Sequence, residues 1–540
     1  MMTTRPVREL GWAALCGLLV TACFSDPTGD ETTTSAGTSG DEAVTTTGLD
    51  ASTGEDVMTS SSGSTSGSDE GSSSGSDTGG GEDTGTTTDR VDGEAQVRVI
   101  HGSPGAGAVD IYAAGSPTPL VSDIDYTGVS DWITVPEGNA TIEVRSAGAP
   151  ASEEPLFVAE TLTIDDGARL SIIAAGIVGA DDPEAQFRLL PVEEDWGNDL
   201  AGRARGRVVH AGADAPPVTI EGLEGESIGL LRYDDSESAG VPLDIEGGER
   251  LEVSVADDLI TSFTTPAFAE GDQVLIVATG LLGTLARDPE GFALIAVGRD
   301  GPLGVVRQDP QLFTLHGSRD ANSLDMCANG EIAAVNFMYG EIQSTRLSPG
   351  EYDLTIFDYP SGCTNPDGPL NGAGGNTSGE LEPGERYLML LSGERNAEDG
   401  EPSIQVVPFT DQFTTGEDDF ANIRFVHGAS AQQIYVGSVL NETIAAANVY
   451  TQPIEWRAES VETSLTQGLF VLGVADAVGK PAPPLNPLVT FNYTADGGSR
   501  QWGIISGDPS PEEGDGFVQL MLIETSTPQW TVDLVDINPQ

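Results

Sequence analysis

The sequence predicts an all-β protein: four tandem immunoglobulin-like β-sandwich repeats behind a disordered acidic Ser/Thr/Gly stalk. Three observations predict it. A local pattern built around one histidine recurs four times. Apolar residues come in short, Val- and Ile-rich, partly alternating runs, and 68 Gly and 33 Pro in 540 residues punctuate those runs with turns. No window carries a helical period long enough to form a helix, and the length suggests three or four domains.

The chain opens with Arg5 and Arg8, followed by an apolar stretch from Gly11 to Val20. That stretch is too short to span a bilayer comfortably, and residues 1–22 read as an export signal. Its end, Val20-Thr-Ala-Cys23, resembles the lipobox of bacterial lipoproteins. The resemblance implies that the Cys23 thiol takes a diacylglyceryl group and becomes the new amino terminus. Each buried acyl methylene adds about 0.8 kcal/mol of membrane affinity, so several chains on one Cys hold firmly. Phe24 rather than Asp follows that Cys, which points to the outer membrane.

Residues 23–92 read as a disordered linker. From Phe24 to Asp92, 43 of 69 residues are Ser, Thr or Gly and the only basic one is Arg90, so nothing there can bury a core. A flexible coil of that length spans roughly 45 Å. Gly71-Ser-Ser-Ser-Gly75 formally matches a GxSxG nucleophile elbow but has neither the strand before it nor the helix after it that the motif needs.

All four histidines then fall in one pattern, Val97-Arg-Val-Ile-His101-Gly, Gly206-Arg-Val-Val-His210-Ala, Leu312-Phe-Thr-Leu-His316-Gly and Ile423-Arg-Phe-Val-His427-Gly, at spacings of 109, 106 and 111 residues. A turn glycine follows 34 to 41 residues later, at Gly138, Gly247, Gly350 and Gly468. A third anchor is an apolar run closed by a small residue and Gly: Leu170 to Gly176, Val274 to Gly280, Tyr387 to Gly393 and Gln501 to Gly507. The small residue is Ala or Ser, with Thr279 in the second unit. A final strand closes each unit, placing them at 93–195, 203–301, 308–411 and 420–537. Roughly seven strands in each such length suit a β-sandwich, and the expected architecture is four units on a string, either packed together or swinging freely.

The first unit resembles a family. Val97-Arg-Val-Ile-His-Gly-Ser-Pro104, Val109-Asp-Ile-Tyr112, Tyr126-Thr-Gly-Val-Ser-Asp-Trp132 and Val135-Pro-Glu-Gly138 are similar to a bacterial and archaeal cell-surface module, domain of unknown function family 4397. The likeness is good over 93–192, fair in the second unit and thinner in the last two. Asp110 is replaced by Thr219 and Gln433 in the even units and retained as Asp325 in the third. The resemblance implies an exported, repeated and often anchored module, and no activity.

Net charge narrows the partners. With 86 Asp plus Glu against 23 Lys plus Arg, the formal charge is −63, and the excess runs through every segment after the first 23 residues. Nucleic acid is excluded, because phosphate backbones are bound by clustered Lys and Arg. Lys480 is the only lysine, which fits either a salt-adapted surface or a coding bias that replaces Lys with Arg.

Few residues could carry chemistry. His101, His210, His316 and His427 each follow a strand, where an imidazole could ligate a metal, act as a base or hold the next loop by hydrogen bonds. One histidine per unit does not make a zinc site, which wants three or four ligands, so the loop-holding role is preferred and no metal ligand is assigned. Cys327 and Cys363 are the cysteines left after processing, and an oxidising compartment pairs them. Asp123-Ile-Asp125, Asp234-Asp235, Asp257-Asp258 and Glu512-Glu-Gly-Asp515 could hold calcium but lack the EF-hand spacing, and read as solvated surface. Arg203, Arg205 and Arg207 alternate on one strand face and are expected to pair with local acids.

The expectation is therefore a non-catalytic, lipid-anchored surface protein that binds a surface polysaccharide or an envelope or matrix protein. An exported hydrolase with its site in the insertions 363–379 or 476–492, and a structural spacer with no ligand, are the alternatives.

Overall fold

The computed structural model describes residues 93–538, apart from 151, 160, 197–201, 223–226, 232–240, 244–247, 257, 365–367, 371–376, 396, 398–402, 415–418, 430–432, 478–482 and 508–517. The signal segment, Cys23, the linker and its GxSxG match lie outside the described residues, as do Asp234-Asp235, Asp257 and Glu512 to Asp515.

The first module contains β1 (Glu94–His101), β2 (Val109–Ala113), β3 (Val121–Ile124), β4 (Ile133–Pro136), β5 (Gly138–Ala140), β6 (Ile142–Ser146), β7 (Phe157–Val158), β8 (Leu162–Ile164), β9 (Arg169–Ala175) and β10 (Arg188–Glu193). One sheet runs in the order β10-β9-β1-β4 and the other β3-β2-β6-β7, with β5 and β8 as a short ribbon. The histidine strand and the apolar strand therefore lie side by side at the sheet centre. They run parallel, from Gln96 opposite Arg169 to His101 opposite Ala174. The same parallel pair recurs as Ala204–His210 with Gln273–Thr279, Gln311–His316 with Arg386–Ser392, and Phe420–His427 with Arg500–Gly507. In the second module the inner sheet continues past residue 301 through the strand Pro302–Val306.

Each module is a sandwich of two sheets, and among the described residues the chain is all-β, with two single-turn 3₁₀ segments. No helix among them is long and apolar enough to cross a membrane.

Alternation explains why the central strands are buried on both faces. Ala95, Val97 and Val99 point into the first module's own cores. Ile100 on β1 and Ile173 and Ala175 on β9 point the other way, and they pack against Val209, Leu275 and Val277 of the second module. The third and fourth modules meet in the same manner, through Phe313, Leu388 and Leu390 against Val426, Trp502 and Ile504. Each pair of modules is thus a four-layered stack whose two inner sheets share a core.

The units are thus stacked rather than strung apart, and the runs Leu170–Gly176 and Tyr387–Gly393 are mostly apolar because both faces of their strands are covered. The two stacks also join. Ser262 Oγ donates to Asp309 Oδ2 at 2.6 Å, the hydroxyl of Thr261 bonds Oε1 of Gln308 at 2.7 Å, and Arg287 Nη2 donates to the carbonyl of Phe413 at 2.7 Å.

Candidate functional site

The histidines end the central strands and are fully buried. Nδ1 of His101 accepts the Ser103 N–H at 3.3 Å, and its Nε2 lies 2.7 Å from the carbonyl of Gly107. His210 repeats this with Gly212 and Pro216, at 3.3 and 3.2 Å. His316 does so with Ser318 and Asn322, at 3.3 and 3.0 Å. A backbone N–H can only donate, so Nδ1 is the acceptor and Nε2 carries the proton. Each of these three rings therefore bridges the backbone two and six residues onward and pins the loop between. Burial lowers the pKa of His101 and His316 below the ordinary value, which keeps the rings neutral. Tyr126 and Tyr339 pack edge-on against the same two rings.

The glycine after the histidine has a steric cause. A Cβ on Gly317 would lie 2.8 Å from both Leu390 Cδ1 and the carbonyl of Leu391, and one on Gly428 would lie 3.2 Å from the carbonyl of Ile505. The small residue of the third anchor answers it across the module interface. Ser392 Oγ donates to the Gly428 carbonyl at 3.0 Å and Ser506 Oγ to the Gly317 carbonyl at 2.8 Å, a reciprocal pair joining modules three and four. Thr279 Oγ1 donates to the Gly102 carbonyl at 2.5 Å. The equivalent residue of the first module is Ala175, which has no hydroxyl, so the first stack makes this bond in one direction. The anchors that recur in the sequence are thus the contacts that hold modules in pairs.

The interface also gathers charges that the sequence reading missed. Arg98, fully buried, donates from Nε to Ser171 Oγ at 2.7 Å, from Nη1 to the carbonyl of Gly298 in the second module at 2.7 Å, and from Nη2 to Glu194. Arg207, at the matching position of the second module, donates back to the carbonyl of Glu193. That bond reaches across to the partner module. The guanidinium carbons of Arg98 and Arg169 lie 4.5 and 4.3 Å from the centre of the Trp132 ring. In the other stack Arg386 holds Asp411 and donates to the carbonyl of Thr525 at 2.9 Å. A polar residue alternating with apolar ones in a strand ordinarily faces water, which is why Arg98 gave no signal.

Asp110 and Asp325 are buried braces. The two oxygens of Asp110 accept from Asp123 N at 2.8 Å and Gly148 N at 3.0 Å. Those of Asp325 accept from Asn336 N at 2.9 Å and Gly362 N at 3.0 Å. Asp123 and Asn336 have φ of 55° and 50°, a left-handed conformation that the carboxylate helps to hold. Cys327 and Cys363 form a disulfide, which ties the strand of Asp325, Leu324–Ala328, to the turn at Gly362–Thr364. Of the insertions, 365–367, 371–376 and 478–482 lie outside the described residues. Among the described residues no three His, Cys, Asp or Glu side chains are grouped to hold a metal ion.

These features define a protein of paired β-sandwich modules whose repeated residues serve the pairing. The family model of a domain of unknown function, DUF4397, matches residues 95–221 and 310–437, one stretch in each stack. Each match begins at an odd module's histidine strand and ends in the second strand of the even module stacked on it. The third module is included, although its likeness motif by motif is thinner. No curated protein matches the chain.

Proposed function

We propose that the chain is a non-catalytic, exported and lipid-anchored surface protein, whose stacked modules form an acidic head for adhesion or for matrix or envelope binding. The observation that carries this reading is where the recurring polar residues spend their hydrogen bonds. His101, His210 and His316 use both ring nitrogens on backbone, and Thr279, Ser392 and Ser506 donate to the partner module. Repetition of that kind multiplies a shape and a surface, whereas a hydrolase needs one module set apart by a convergent polar group. Linked copies of a binding surface raise avidity without new contacts. The lipobox at Cys23 and the acidic linker support an address at the membrane with the head held off it.

The test is sedimentation of the full chain with the organism's own envelope and extracellular polymer fractions, with and without calcium. Saturable binding to a polysaccharide or protein fraction is the expected result. No saturable binding in any fraction overturns the reading in favour of a spacer or a hydrolase.

A further inference from the structure

Among the described residues, one continuous core fills the space between the sheets of the second, third and fourth modules, the fourth carrying a small satellite cluster around Ile444 as well. In the first module the core is split in two, one part around Val109 and Val144 and the other around Ala95 and Leu170. Between the parts lies a cleft of about 410 Å³, within the size range of small-molecule sites. Val97 and Ile172 line it from one sheet, Ile111 and Ile142 from the other, and Leu120 and Glu137 stand at its mouth.

Strand registers show why the first module is open. Ile111 pairs with Val144, Ile220 with Val253, Met326 with Ile356 and Val436 with Val474. Four residues before each of those partners stand Ala140, Glu249, Tyr352 and Phe470. Tyr352 and Phe470 pack their rings onto their modules' cores, and Glu249 is buried. The first module offers a methyl group at this position, at the junction of its two half-cores. Its strand is also interrupted at Thr141 into β5 and β6, where the third and fourth modules have the unbroken strands Gly350–Asp358 and Gly468–Asp476.

The geometry points to a ligand site in this cleft for a neutral alkyl chain. Sheets packed face to face stand about 10 Å apart, which leaves a slot one side chain thick, and apolar cavities stay dry and take up hydrocarbon. Apart from Glu137, Asn139 and Thr141 the lining side chains are aliphatic, and a surface of alkyl groups suits an alkyl chain. Glu137 is the one charged residue of the lining and is exposed, and the chain's net charge of −63 repels anionic head groups.

The experiment titrates the full chain with the uncharged dye N-phenyl-1-naphthylamine and competes it with a medium-chain alkanol and with the matching alkanoate. One saturable site per chain is expected, with displacement by the alkanol at far lower concentration than by the alkanoate. The A140F variant, which copies Phe470, is expected to weaken the dye by about tenfold or more and to raise the melting temperature. Unchanged dye affinity in A140F, or in A140L should A140F not fold, overturns the site, and so does absence of saturable binding. Failure of both variants to fold shows that no space exists at Ala140 and overturns it equally. Equal displacement by the alkanoate overturns the neutral ligand.

Discussion

A buried imidazole that spends both ring nitrogens on backbone has one tautomer and no charge. Protonation of His316 would put a hydrogen on Nδ1, opposite the Ser318 N–H that it now accepts, and would charge a ring held at 0% exposure. The folded-state pKa of His101 and His316 lies below the ordinary value, first because of burial. An unfolded histidine takes up its proton near about 6.5. Between those two values the unfolded chain binds more protons than the folded one, so stability is fully present above about 6.5 and is lost as pH falls below it. Thermal melts of the full chain from neutral to mildly acidic pH are expected to show that fall. H316A should lower stability by about 1–3 kcal/mol, the cost of leaving buried backbone groups unpaired, and should flatten the acid dependence. An H316A melt indistinguishable from wild type at neutral pH would refute the loop-holding role. Asp110 and Asp325 do comparable work for turns, and only the odd modules have them. The histidines were legible because they recur in all four units, while the aspartates were singled out only through the family resemblance, with no role attached.

At the scale of the element, a strand's two faces can serve different cores. β1 turns Val97 and Val99 into its own sandwich, while Arg98 and Ile100 face the second module. Sequence alternation registers the first face and misreads the second, since Arg98 among valines looks like a residue turned to water. Its charge is tolerated in the interface because Glu194, Ser171 and the Gly298 carbonyl satisfy it. Pairing of Cys327 with Cys363, by contrast, was legible from the compartment and the count of cysteines. The bond closes a sequence separation of 36 residues, and its reduction is expected to lower stability by about 2–4 kcal/mol through the freedom returned to the unfolded chain. Thermal melts with and without reductant check this. A melting curve unmoved by complete reduction, verified by thiol titration, would count against that contribution.

For the whole molecule, the unit of folding that the interfaces define is the pair. A single module cut at 93–195 would expose Ile100, Ile173, Leu190 and Val192, which are buried against the second module. Each such aliphatic side chain contributes about 1.5–3 kcal/mol when buried, and exposed patches of this kind drive association. Residues 93–195 alone are therefore expected to self-associate, and residues 93–307 to sediment as a monomer. A well-behaved monomer of 93–195 would contradict the shared core. The all-β class, the repeat count and the disulfide were determined by the sequence by itself. They rest on local signals: turn residues, strand-length apolar runs, and a motif that recurs with its spacing. Only the tertiary structure decided that the modules stack in pairs, that the serines after the apolar runs bond across the stack, and that the first module keeps a cleft where others place a ring. Those outcomes depend on which face of a strand meets which distant strand, and on the volume left once all of them have packed. No local pattern in the chain records either.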